Sequence, residues 1–225
     1  GKEKHRASAV CKFCDTDFIG TNGVNGGNYS AKDLVSKLNT LWGVLDNKLI
    51  VFTGGEPMLQ QRRMNAIVNE FLIRGNVPKI ITVETNGTKK LNKVLQEFIN
   101  VQLAELGIRW HWAISPKTLH TAGEIDSVDV SNLMSYIEGT RSTGIIKFVC
   151  NGSKESWHEI DDYSYQIRLY CKRAEITAPD IWIMPVGATK EAQENVANIC
   201  NDAMQKGYKV ATRNHCAIYR NQIGT

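Results

Sequence analysis

The sequence has no long hydrophobic run, no marked charge imbalance and no biased segment. No apolar stretch approaches the ~18 residues of a membrane-spanning helix, and no signal peptide opens the chain. The 27 Lys and Arg residues are nearly balanced by 23 Asp and Glu residues, and no basic tail or stripe stands out. Repeats, linkers and low-complexity stretches are also missing. We therefore expect a cytoplasmic protein that neither enters a membrane nor binds nucleic acid directly.

The chain has six cysteines, and their distribution is uneven. Cys150, Cys171, Cys200 and Cys216 are scattered along the second half of the chain, which favours buried thiols over a disulfide framework. Cys11 and Cys14 are three positions apart, so their thiolates can bind one metal ion or cluster. No third cysteine lies near them. The pair therefore predicts a site whose remaining ligand comes from a distant residue or from upstream of Gly1.

Strand-like and helix-like segments alternate along the chain. Ser30 is placed to cap the first helix. Further segments with apolar residues at helical spacing follow most of the strand-like runs. The βαβα rhythm predicts an α/β fold with a parallel sheet, either open or curled into a full or partial barrel. We expect one domain over residues 1–225, with 117–143 as a candidate insertion. The predicted strands are 48–53, 79–85, 110–115, 144–149, 180–186 and 209–213.

Four predicted strands end in unusual polar or glycine-containing turns, at residues 53–57, 84–88, 115–117 and 184–187. Each turn alone is readily explained by local chain geometry. In parallel α/β folds, however, ligands gather at the carboxyl ends of the strands, and four such turns at one edge favour a ligand site.

The chemistry of these turns fits a small polar ligand. The paired glycines Gly54 and Gly55 let a ligand approach the backbone. Glu56 is suited to an ammonium group, Glu84 to amide or hydroxyl groups, and Lys117 to a carboxylate.

These motifs resemble those of the radical S-adenosylmethionine superfamily. The resemblance rests on Cys11-x-x-Cys14 with an aromatic residue before the second cysteine, and on a strand that ends in Gly-Gly-Glu-Pro at 54–57. A closer resemblance is to the 7-carboxy-7-deazaguanine synthase family. It rests on Cys-Lys-Phe-Cys-Asp-Thr-Asp-Phe at 11–18, Thr-Gly-Gly-Glu-Pro-Met-Leu-Gln at 53–60, Val-Glu-Thr-Asn-Gly-Thr at 83–88 and Ser-Pro-Lys at 115–117.

The resemblance implies a partial (βα)6-type barrel and a lyase reaction. Members of the family convert 6-carboxy-5,6,7,8-tetrahydropterin into 7-carboxy-7-deazaguanine and ammonia, in the biosynthesis of 7-deazapurines such as queuosine. A 4Fe–4S cluster cleaves S-adenosylmethionine to a 5′-deoxyadenosyl radical, which starts the ring contraction, and magnesium (Mg²⁺) assists. The implied partners are the pterin substrate, an electron donor such as flavodoxin, and a second copy of the chain in a homodimer.

The resemblance also implies a role for individual residues. Cys11 and Cys14 would bind the cluster, Thr16 would bind magnesium, and Gly54, Glu84 and His215 would contact the pterin. The residues that would contact S-adenosylmethionine are Phe13, Thr53, Gly55, Glu56 and Ser115. The family's third cluster cysteine and first barrel strand would precede Gly1, so we expect the natural N-terminus to lie upstream.

Several alternatives stay open at this point. Cys11 and Cys14 also fit half of a structural zinc site or a thioredoxin-like redox pair. A different radical enzyme, such as an activase that makes a glycyl radical, would share the same cofactor motifs. A nucleic-acid-binding or metal-storing module without catalysis and a catalytically incomplete fragment are the remaining hypotheses.

Overall fold

Six parallel strands form the frame of the molecule. The computed structural model describes residues 27–42, 49–187, 189–194 and 196–219. All strands run in the same direction, and each pairs with its neighbours in chain order, so the sheet order is β1-β2-β3-β4-β5-β6. The strands are β1 (Leu49–Phe52), β2 (Ile80–Thr85), β3 (Arg109–Ile114), β4 (Thr143–Cys150), β5 (Asp180–Pro185) and β6 (Lys209–Val210).

Helices fill the connections between the strands. The long connections are required because parallel neighbours cannot be joined by a tight hairpin. The α-helices are α1 (Ala31–Trp42), α2 (Gln61–Ile73), α3 (Lys93–Glu97), α4 (Leu119–Ala122), α5 (Val130–Thr140), α6 (Lys154–Ala174), α7 (Lys190–Glu194), α8 (Ala197–Gln205) and α9 (Asn214–Tyr219). A short 3₁₀ helix, Pro57–Gln60, precedes α2, and the π-helix Phe98–Leu103 continues α3.

The sequential strand order gives the two faces of the sheet different roles. Crossovers between adjacent parallel strands are right-handed, so a sheet that always advances in one direction collects its helices on one face. That face is the core, and its strand residues are buried almost completely. They include Ile81, Val83, Trp110, Trp112, Ile114, Ile146, Phe148, Ile181 and Ile183. The other face, here called the open face, carries the alternate residues of each strand.

The helix α5 is fixed to the core by aromatic and polar contacts. The rings of Trp112 on β3 and Tyr136 on α5 stack with centroids 4.9 Å apart. The indole N–H of Trp112 donates to the Thr140 hydroxyl at 2.9 Å, so this buried polar group is satisfied. The same helix donates from Tyr136 to the carbonyl of Lys89, just after β2. The position of α5 therefore determines the position of that loop.

The six predicted strands and the parallel sheet are confirmed. Ser30 accepts the backbone N–H of Asp33 at the start of α1, as its position predicts. Within 117–143, α5 is the helix that connects β3 to β4, and α4 is a single short turn. The division into one domain and the further strand expected upstream stay predictions.

Gly87 offers a test of how tightly the loop after β2 is packed. Its φ is +81°, and a Cβ at this position would lie 2.1 Å from a side-chain carbon of Leu133 on α5. We expect Gly87→Ala to lower the free energy of unfolding, measured by urea denaturation, by roughly 2 kcal/mol more than Gly107→Ala. Gly107 is the matched control because its φ is +68° and its Cβ would meet nothing within 4 Å. Equal losses in the two variants would contradict the packing described here.

Candidate active site at the strand ends

The carboxyl ends of β1 and β2 bring two predicted site residues into direct contact. Val51 pairs with Thr82, so Thr53 and Glu84, two positions further along, lie side by side on the open face. The Thr53 hydroxyl donates to Glu84 Oε2 at 2.8 Å. Both side chains are exposed, and the Glu84 carboxylate keeps acceptor capacity for a ligand.

Glu56 connects the turn after β1 to the turn after β2. Its Oε1 accepts the backbone N–H of Met58 at 2.9 Å and the hydroxyl of Thr85 at 2.6 Å. Its Oε2 accepts the backbone N–H of Asn86 at 2.8 Å. Hydrogen bonds to a carboxylate are among the stronger ones in proteins, so three of them hold the two turns in one arrangement.

The backbone of Gly54 and Gly55 is open to a ligand. Both residues have positive φ, +81° and +23°, a conformation that side-chain-bearing residues rarely adopt. A Cβ at either position would meet nothing within 4 Å, so no neighbouring group of the described chain fills the space above the turn. The two glycines therefore give a flat ligand or an amino-acid group direct access to main-chain atoms.

The end of β3 continues the same edge. The backbone N–H of Ser115 donates to the carbonyl of Thr85 at 2.7 Å, which extends the sheet pairing by one residue. Ser115 is two residues beyond Ala113, the pairing partner of Glu84, so the predicted residues Thr53, Glu84 and Ser115 occupy consecutive strands of one edge.

The loop after β2 is supported by α5 from behind. The Asn132 side-chain amide donates to the carbonyl of Gly87 at 2.5 Å, and Tyr136 donates to that of Lys89. Burial, followed by the negative charge of Glu56, raises the pKa of Tyr136 above its ordinary value. The phenol therefore stays protonated and remains a donor across the range in which proteins work.

Three of the described cysteines, Cys150, Cys171 and Cys200, lie in surroundings that favour the protonated thiol. Burial raises the pKa of the Cys150 thiol, although hydrogen bonds from the Ser156 hydroxyl and the Gly152 N–H act in the opposite direction. Burial likewise raises the pKa of Cys171 and Cys200. A thiol must be deprotonated to bind a metal. Within the described ranges no group of three or more His, Cys, Asp or Glu side chains is placed to hold a metal ion.

Five predicted site residues are not described in side-chain detail. Cys11, Phe13, Cys14 and Thr16 lie outside the described residues. His215 lies within α9, but its side chain is also outside the description. Their predicted roles stay predictions.

Sequence reasoning missed the residues that hold the site from behind. Thr85 was expected only as part of a turn, yet its buried hydroxyl donates to Glu56 and accepts the Gly87 N–H at 3.1 Å. Asn132 and Tyr136 lie in the segment with the weakest sequence pattern. The sequence offers no signal for them because their partners are 45 and 47 residues away.

Comparison with solved structures defines the fold class. SuiB from Streptococcus suis, solved with bound S-adenosylmethionine, matches 92% of this chain and 48% of its own length, with a TM-score of 0.53. The sequences are 15% identical, so this likeness concerns the fold alone. The chain therefore has the partial-barrel α/β fold predicted from the sequence.

Comparison with curated proteins points to a more particular relationship. The chain is 49% identical over 90 residues to the 7-carboxy-7-deazaguanine synthase of Caulobacter vibrioides, and 47% identical over 90 residues to that of Bradyrhizobium diazoefficiens. It is 53% identical over 62 residues to the enzyme of Burkholderia multivorans. The first two matches span 39% of this chain and 40% of the relative, and the third spans 27% and 30%. No family model matches the chain.

From the hydrogen bonds of Glu56 we predict that replacing this residue lowers the stability of the protein. In Glu56→Gln the amide oxygen can still accept hydrogen bonds from Met58 and Thr85. The NH₂ group then faces the Asn86 N–H, so two donors oppose each other and one hydrogen bond is lost. We expect the free energy of unfolding in urea to fall by about 1–3 kcal/mol. Glu70→Gln is the control. Among the described residues the Glu70 carboxylate forms an ion pair with Arg74 on the same helix, and losing this pair should cost under about 1 kcal/mol. A Glu56→Gln chain as stable as the control would refute the bridging role.

Proposed function

We propose that this chain carries 7-carboxy-7-deazaguanine synthase activity. In this reaction 6-carboxy-5,6,7,8-tetrahydropterin is converted into 7-carboxy-7-deazaguanine with release of ammonia, in the biosynthesis of queuosine and other 7-deazapurines. The proposal rests on the similarity to curated synthases and on the motifs at residues 11–18, 53–60, 83–88 and 115–117. The observation that carries it is the contact between Thr53 and Glu84, which joins two of these motifs at one sheet edge.

The described residues fit S-adenosylmethionine as a cofactor. The turn at Gly54 and Gly55 is unobstructed, and Glu56 fixes its position through the turn after β2. For the 4Fe–4S cluster, the resemblance implies Cys11 and Cys14 as ligands, since thiolates are the usual donors to such a cluster. When bound, the reduced cluster would supply the electron that cleaves S-adenosylmethionine and starts the radical reaction.

The chain's own residues would bind and orient the reactants. Backbone atoms of Gly55, together with Thr53 and Ser115, are available for S-adenosylmethionine, and Phe13 would pack beside it. Glu84, oriented by the Thr53 hydroxyl, has the acceptor oxygens that the N–H groups of a pterin need. Gly54 leaves room for the flat ring, and His215 would contact the same substrate. Glu56 would act chiefly by holding the turn after β1 and the turn after β2 in fixed positions relative to each other.

The remaining parts of the proposal follow the family resemblance. Thr16 would bind the magnesium ion, an electron donor such as flavodoxin would reduce the cluster, and the chain would work as a homodimer. We propose a reducing cytoplasmic location because the cluster needs free thiolates. In the described part of the chain, no helix has both the length and the hydrophobicity that crossing a membrane requires.

The direct test is anaerobic reconstitution followed by a choice of substrates. The reconstituted protein, with S-adenosylmethionine and sodium dithionite as reductant, should convert 6-carboxy-5,6,7,8-tetrahydropterin into 7-carboxy-7-deazaguanine, detected by mass spectrometry. Under the same conditions it should leave a glycyl-radical enzyme unactivated, as judged by electron paramagnetic resonance. Iron counting checks cluster loading in both reactions. Cleavage of S-adenosylmethionine without deazapurine would refute the proposed substrate.

Glu84 should affect substrate binding more than turnover. In Glu84→Gln the Thr53 hydroxyl can still donate to the amide oxygen. The negative charge is lost, however, and one of the two acceptor oxygens is replaced by an NH₂ donor. We expect the KM for the pterin to rise about tenfold or more, with a smaller change in kcat. Steady-state kinetics measure both constants. Glu105→Gln, an exposed change far along the chain, is the control, and equal KM values in the two variants would exclude Glu84 as a substrate contact.

A further inference from the structure

A carboxylate on α6 holds the loop that follows β3. Glu159 Oε1 accepts the backbone N–H of Leu119 at 2.8 Å, and Oε2 accepts that of His120 at 3.0 Å. Oε2 also lies 3.2 Å from Nδ1 of the His120 ring. The Glu159 side chain is 12% exposed, so these bonds are largely shielded from water. They connect the start of α4 to a residue 40 positions further along the chain.

The start of α4 lacks the local cap that its sequence could supply. Thr118 occupies the N-cap position, where threonine is a favourable residue. Its backbone is extended, with φ −86° and ψ 156°, but its buried side chain makes no capping hydrogen bond. Glu159 satisfies the backbone N–H groups of this turn instead. The position of the turn therefore depends on the position of α6.

Two further contacts attach the same turn to α6 and to the residues just before that helix. The Asn151 side-chain amide donates to the carbonyl of His120 at 3.0 Å. The hydroxyls of Thr121 and Ser156 are buried and lie 2.8 Å apart, within hydrogen-bond distance. Residues 151–159 thus hold both N–H and C=O groups of α4, and α4 cannot shift against α6 without breaking several hydrogen bonds at once.

The predicted ligand residues of this loop lie between two anchors. The first anchor is the hydrogen bond from the Ser115 N–H to the Thr85 carbonyl, at 2.7 Å. The second is the Glu159 carboxylate, bonded to the first residue of α4. Lys117 lies midway between them, and its carbonyl accepts the Ser127 hydroxyl. A displacement of α4 would therefore move Lys117 with it and pull on Ser115.

We propose that Glu159 is a positioning residue for S-adenosylmethionine. This inference rests on the proposed function, in which Ser115 contacts that cofactor, and Lys117 has the charge that suits the cofactor's carboxylate group. Glu159 itself touches neither reactant. It holds the loop after β3 where these two residues reach the cofactor, so that binding does not have to order the loop. In this way α6 supports the loop after β3 as α5 supports the loop after β2.

Two substitutions on α6 separate positioning from stability. In Glu159→Gln the amide oxygen can accept one of the two N–H groups, but the NH₂ group then faces the other. Asp161→Asn is the matched control on the same helix, because its carboxylate accepts hydrogen bonds from Lys206 and Tyr208, both at 2.7 Å. Those partners directly precede β6, so they lie at the opposite end of the sheet from the loop after β3.

The affinity for S-adenosylmethionine is measured by calorimetry on the reconstituted protein with an oxidised cluster, so that the cofactor is not cleaved. We expect Glu159→Gln to raise the dissociation constant about tenfold, and Asp161→Asn to change it less than about twofold. Urea denaturation should show that both variants lose stability. A Glu159→Gln protein that binds the cofactor as tightly as the unaltered chain overturns the proposal, as does an equal loss of affinity in the two variants.

Amide hydrogen exchange tests the geometric step without any cofactor. In the free chain, the amides of Leu119 and His120 should exchange about tenfold faster or more in Glu159→Gln, and at an unchanged rate in Asp161→Asn. Asn151→Ala is a milder second variant, because it removes the hydrogen bond to the His120 carbonyl at an exposed position. It should raise the dissociation constant in the same direction but by less. Unchanged exchange in Glu159→Gln would show that the carboxylate does not hold the turn.

The binding and exchange measurements do not involve the pterin, so they are independent of the proposed reaction. Weaker cofactor binding in Glu159→Gln, in a chain that makes no deazapurine, would refute the proposed function and leave the positioning role standing. Deazapurine formation by a chain whose cofactor affinity survives Glu159→Gln would do the opposite. In an active chain, the KM for S-adenosylmethionine should rise with the dissociation constant, while the KM for the pterin stays within about twofold. A parallel rise of both KM values would contradict a role specific to the cofactor.

Discussion

The candidate site depends on the carboxylate of Glu56. This one side chain receives three hydrogen bonds, two from the turn after β2 and one from its own turn, so it sets the distance between the ends of two strands. The pairing of β1 with β2 places Thr53 beside Glu84, and Glu56 holds the turns that follow these strands. The resemblance implies that Glu56 contacts S-adenosylmethionine. Its hydrogen bonds add a positioning role, since most of its acceptor capacity is directed to the protein itself.

The sheet explains why fixed turns are enough to build a site. Six parallel strands in chain order place the helices that connect them on one face, and the site residues Thr53, Glu84 and Ser115 lie at the strand ends on the other face. The buried face is rigid because large residues such as Trp112, Tyr136 and Phe148 fill it without exposure. The strand ends can therefore carry glycines with positive φ and exposed carboxylates, because the largest buried side chains pack on the opposite face.

The sequence predicted the strands and the residues at their ends because both depend on local patterns. Short apolar runs such as Ile80–Thr85 mark buried strands, and the turns that follow them are recognisable by residue type. The support from Asn132 and Tyr136 could not be predicted, since a single polar residue on a helix gives no sign of a partner more than 40 positions away. The π-helix at Phe98–Leu103 also has no signature in the pattern of apolar residues.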